Sequence, residues 1–90
     1  MPKSILTSNL GVGNYTTFGL GAAAALVIVS SLLSAKSACF FITRYLDQYG
    51  DKIAGNLSVA ISRSSPNGGV YLWNRTENAD QFFVRYYPLS

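Results

Sequence analysis

The sequence predicts a single-pass membrane protein, with a polar arm before one transmembrane α-helix and a small β-hairpin or irregular tail after it. Three observations carry this expectation. Residues 18–35 (FGLGAAAALVIVSSLLSA) contain no charged side chain. Across the 90 residues, 49% are apolar and only 12% charged, whereas a soluble domain usually carries roughly 25% charged residues. A lipid-facing segment accounts for that shortfall. Residues 57–63 (LSVAISR) then change to an alternating pattern and lead into a turn, which reads as extramembrane β-structure.

The elements follow in order. Residues 1–17 form a polar arm, with Asn9, Gly11, Gly13 and Asn14 as turn formers. The helix is predicted over 18–49. Its uncharged part covers roughly 27 Å at about 1.5 Å per residue, close to the ~30 Å hydrocarbon core of a bilayer. Thr16 or Thr17 caps its start. Phe41, Tyr45 and Tyr49 fall four apart beyond the span, and Gly50 is placed to end the helix. Residues 50–90 form the tail. Leu57, Val59 and Ile61 share one side of a strand, SSPNGG at 64–69 supplies the turn, and VYLW at 70–73 supplies the second strand. A third strand is possible over 81–87.

Candidate contact residues follow from the helical reading. Gly19, Ala23, Ser30, Ser34, Ser37 and Ala38 are expected on a small-residue face, where another helix approaches closely. On that reading, Ser34→Leu disrupts docking and Leu33→Ile does not. Lys36, Phe40, Phe41, Arg44 and Tyr45 are expected at the membrane interface, where aromatic rings and snorkelling cations collect. Lys3 precedes the span, whereas Lys36, Arg44, Lys52 and Arg63 lie on or beyond its far end. The positive-inside rule therefore puts the C-terminus on the cytoplasmic, matrix or stromal side. The long polar arm and long apolar run argue against a cleaved signal peptide.

Little in the chain points to chemistry. There is no histidine, which removes the commonest general base and metal ligand. Asp47, Asp51, Glu77 and Asp80 form no recognisable acid–base pair, and the single cysteine, Cys39, has no base to activate it. No catalytic, cofactor or metal residues are assigned, and no enzyme activity is expected. The net charge of +3 comes from basic residues scattered along the sequence, so no nucleic-acid partner is expected. The functional expectation is a non-catalytic accessory subunit of a multisubunit respiratory or photosynthetic membrane complex, in an organellar inner membrane. Its partners would be other membrane subunits and lipids. The alternative is a self-assembling filament or virion membrane or coat subunit, which would be a homo-oligomer.

Overall fold

A computed structural model describes residues 3–20, 24–42, 51–63 and 69–89, the side chains of 51–53 excepted. Among the described residues the chain forms β-strands and no helix. In chain order these are β1 (Lys3–Leu6), β2 (Tyr15–Phe18), β3 (Ala25–Ser31), β4 (Ser37–Ile42), β5 (Asp51–Gly55), β6 (Val59–Arg63), β7 (Val70–Asn74) and β8 (Phe82–Pro88). They build two antiparallel sheets, one in the order β1-β8-β3-β4-β5 and the other in the order β2-β7-β6.

The expected transmembrane helix is overturned. Within the described part of 18–49, Phe18 ends β2, and the run from Ala25 to Ile42 is an antiparallel hairpin of β3 and β4. No helix among the described residues is long and apolar enough to cross a membrane. The physical reason lies in Val27, Ile28 and Val29. Three successive β-branched residues are restricted in a helix and fit a pleated strand. An uncharged run is also what a strand shows when both of its faces are apolar. The premise of a membrane-complex subunit in an organellar membrane falls with the helix. So does that of a filament or virion subunit built on a long apolar helix. The predicted extension over 43–49 and its Gly50 cap lie outside the described residues.

The strand reading of the tail agrees with the structure. β6 and β7 pair antiparallel, with Ile61 opposite Leu72 and Ala60 opposite Trp73. The stretch read as a third strand is β8. It pairs with β1 and β3 in the other sheet rather than with this hairpin.

The core lies between the two sheets. Val27 and Val29 of β3, Phe40 and Ile42 of β4, and Phe82 and Val84 of β8 face inward. Val59 and Ile61 of β6 and Val70 and Leu72 of β7 meet them from the smaller sheet. The Phe18 and Tyr86 rings, one from each sheet, lie 5.6 Å apart. Arg63 continues the inner side of β6 and is buried.

A single ribbon joins the sheets. β1 pairs with β8 in the larger sheet, and β2 pairs with β7 in the smaller. Between these pairs Leu10 and Asp80 form a bridge, exchanging backbone hydrogen bonds of 2.7 and 3.0 Å. At the bend the Thr7 amide donates to the Phe82 carbonyl and the Thr7 hydroxyl accepts from the Phe82 amide, each at 2.9 Å, so a side chain takes over part of the pairing that buried amides require.

Candidate functional site

At one end of the sandwich three connections meet: the β3–β4 turn, the β5–β6 link and the β7–β8 loop. They enclose a half-open cleft of about 380 Å³, within the size range of small-ligand pockets. Leu33, Ser34 and Lys36 line it from the β3–β4 turn, Leu57 and Ser58 from the β5–β6 link, and Arg75 to Asn78 with Asp80 from the β7–β8 loop.

Two buried polar side chains shape these loops. The Asp80 carboxylate accepts hydrogen bonds from the Ser31 hydroxyl, the Leu33 amide at 3.1 Å and the Gln81 amide at 2.7 Å. Ser31 Oγ in turn accepts from the Ser34 amide at 2.9 Å. Together they hold the β3–β4 turn. Asn74 does the same for the β7–β8 loop. Its Nδ2 donates to the carbonyls of Leu10 and Asn78, each at 3.0 Å, and its Oδ1 accepts from the Thr76 amide at 2.9 Å and hydroxyl at 2.6 Å. Asp80 is therefore committed to the scaffold, although it borders the cleft.

The second feature is an aromatic cluster on the outer face of the smaller sheet. Tyr15 of β2 stands opposite Trp73 of β7, and Tyr71 lies two residues back on the same face. The Tyr15 ring is 4.7 Å from Trp73 and 5.3 Å from Tyr71, tilted 42° to each. Trp73 Nε1 donates to Ser62 Oγ at 3.2 Å, which fixes the indole. The Arg75 guanidinium lies over the Trp73 ring, 5.4 Å from its centroid. Arg75 also lines the cleft and so connects the two features.

The third feature is the outer face of the larger sheet. The registers place Leu26 opposite Phe41 and Tyr87, Ile28 opposite Cys39 and Arg85, and Ser30 opposite Ser37 and Phe83. Leu6 of β1 adjoins Phe83. Antiparallel sheets commonly turn a polar face to water, but here Leu6, Leu26, Ile28, Cys39, Phe41 and Phe83 form an apolar patch on the outer face, with Ser4, Ser30, Ser37 and Arg85 among them. Arg85, set over the Phe83 ring at 5.6 Å, is its one charge among the described side chains.

The residues predicted as a helix face are dispersed. Ser30 and Ser37 are cross-strand partners on the outer face of the larger sheet, whereas Ala38 points into the core opposite Val29. Ser34 is exposed in the β3–β4 turn, and Gly19 is exposed just after β2. Ala23 lies outside the described residues. The membrane-interface set is also split, because neighbouring residues of a strand face opposite ways. Phe40 is 2% exposed in the core, while Phe41 is 38% exposed on the outer face. Lys36 lines the cleft. Arg44 and Tyr45 lie outside the described residues. The sequence reading missed Tyr15, Tyr71, Trp73 and Arg75 as a group. The available signal was the alternation of VYLWNR, which puts Tyr71, Trp73 and Arg75 on one side.

No family model, curated protein or solved structure matches the chain.

Proposed function

We propose that the protein is a non-catalytic β-sandwich assembly module that pairs with a second copy of itself through the outer face of its five-stranded sheet. The observation that supports this is the apolar character of that face, centred on Leu26, Ile28, Cys39 and Phe41. It also accounts for the low charge content of the chain, because one sheet has two apolar faces rather than one.

Size and shape favour a second copy as the occupant. Four strands about 4.8 Å apart, each about six residues long at ~3.4 Å per residue, give a facet of roughly 400 Å². Contiguous apolar patches of about 300–600 Å² are often functional on small proteins. Face to face, two such facets bury on the order of 800 Å² or somewhat more with pleats interdigitated, below the roughly 1,200 Å² of a stable specific interface and in the range of weak, transient ones. The pair is therefore weak and concentration-dependent. Two copies of one twisted sheet stack at about −30°, so the face is complementary to itself in shape. The lack of histidine and the structural commitment of Asp80 support a binding role over catalysis.

Sedimentation and thiol labelling test the pairing. Cys39 is the single cysteine and sits at the centre of the proposed contact. The parent should shift from monomer to dimer as concentration rises, and Cys39 should label more slowly at the dimeric end. Ile28→Lys should give a folded monomer with concentration-independent labelling, because a lysine there would be desolvated opposite its symmetry mate. A parent that remains monomeric throughout, or an Ile28→Lys variant that dimerises as well as the parent, overturns the proposal.

A further inference from the structure

A second site lies at the end of the sandwich and does not depend on the pairing. We propose that the end cleft, with the exposed Tyr15 ring at its margin, binds a neutral oligosaccharide.

Lys36 and Arg75 bring positive charge to the cleft lining, and Glu77 and Asp80 bring as much negative charge. The lining is formally neutral as a whole, so an ion of either sign would leave opposed charges beside it without an answer. What the cleft does offer is unused hydrogen-bonding capacity. The side chains of Lys36, Ser58, Glu77 and Asn78 make no hydrogen bond or ion pair among the described residues. They come from three different connections and converge on one space. The lysine only donates, the carboxylate only accepts, and the serine and asparagine side chains do both. A sugar hydroxyl also donates and accepts, so a chain of hydroxyl-bearing rings engages all four without adding a charge.

A small zwitterion would satisfy Lys36 and Glu77 as well, but the aromatic ring at the margin favours a sugar. Tyr15 is 50% exposed. Arg75 lies over the Trp73 ring, so Tyr15 rather than the indole offers open aromatic surface. A pyranose has a flat face of C–H groups edged by hydroxyls, which covers such a ring and keeps the hydroxyls free for polar partners. The ring and the cleft adjoin through β7. Tyr15 stands opposite Trp73, and Arg75, two residues further on, lines the cleft. Because Trp73 and Arg75 lie between Tyr15 and the cleft, a ligand that touches both is longer than one sugar ring. The cleft is half-open, which lets such a chain run out over Tyr15.

Trp73 is the single tryptophan and its ring lies 4.7 Å from that of Tyr15, so its fluorescence reports on the site. The probes are cellohexaose, mannohexaose and chitohexaose, neutral chains that differ in the arrangement of their polar groups. At least one should change the fluorescence saturably. Its affinity should be the same at about 50 mM and about 200 mM salt, because an uncharged ligand has no Coulomb attraction to screen. Tyr15→Ala should weaken binding about tenfold, whereas Tyr15→Phe should bind like the parent, because the ring face is kept. Glu77→Ala should also weaken it about tenfold, through loss of a charge-assisted hydrogen bond. Circular dichroism checks that each variant is folded. Glu77 is exposed, so its result stands even if Tyr15→Ala does not fold. Three results overturn the proposal: no saturable change with any of the sugars, tighter binding of zwitterionic dialanine or of an oligothymidylate than of every sugar, or binding that a folded Tyr15→Ala or Glu77→Ala leaves unchanged. Monomer and dimer are read separately by sedimentation, so failure of either proposal is distinguishable from failure of the other.

Discussion

Asn74 concentrates more of the loop architecture than any other described side chain. It is fully buried and makes four hydrogen bonds, two as donor and two as acceptor. Its amide is thus saturated, which the interior demands of a polar group. Asn74→Ala removes all four bonds at once and takes the acceptor from the Thr76 amide, whereas the Leu10 carbonyl keeps the Asp80 amide and the Asn78 carbonyl keeps the Thr76 hydroxyl. The expected loss is about 2–4 kcal/mol of stability, larger than a single net hydrogen bond because several bonds of one buried amide go together. Urea denaturation measures it, and a loss below about 1 kcal/mol would mean that water replaces the amide. Gly55 is a second irreplaceable position. Its φ of 113° lies where side chains are disfavoured, and a Cβ there would collide with the Ser37 carbonyl oxygen.

At the scale of elements, β3 carries most of the organisation. It is a central strand bonded to β4 on one side and β8 on the other. Its burial alternates strictly, with Ala25, Val27 and Val29 inward. Val27→Ala should cost about 2–3 kcal/mol, the transfer term plus a cavity. Ser34→Leu should change stability by less than about 0.5 kcal/mol, because Ser34 is exposed in the β3–β4 turn and contributes its backbone amide rather than a packed face. The helical reading instead expects Ser34→Leu to disrupt docking to a partner helix. Thermal or chemical denaturation measures the stability of the two variants. The same strand explains the charge-poor composition, because Leu26 and Ile28 face outward between Phe41, Cys39 and Tyr87.

At the scale of the molecule, the first and last described strands close the fold on each other. β1 pairs with β8 and β2 with β7, so the ends of the chain must meet before either sheet is complete. Such long-range pairing slows folding towards the millisecond-to-second range. The radius of gyration of 11.8 Å is close to the roughly 12 Å expected for a folded chain of this length. Deleting residues 1–6 should leave β8 as an unprotected edge beside the apolar outer face. An unpaired edge templates strand addition, so the shortened chain should be less stable and should scatter light at concentrations where the parent stays clear. A truncated chain as stable and as clear as the parent would show that β1 does not guard this edge.

The sequence by itself determined the local β-structure after residue 56. Its alternating apolar residues at 57–63, the turn-forming 64–69 and VYLW needed no distant partner to be read as paired strands, since side chains alternate across any strand. It left 18–42 ambiguous, because an uncharged apolar run satisfies both a lipid-facing helix and a strand covered on two faces. Tertiary structure resolved that ambiguity by giving β3 two bonded neighbours and a core on one side. Phe40 and Phe41, adjacent in sequence, were thereby sent to the core and to the outer face. Only the fold could bring Lys36 and Arg75 to one cleft and Tyr15 against Trp73. Those contacts join residues distant along the chain, and their proximity depends on sheet order and register rather than on any local pattern.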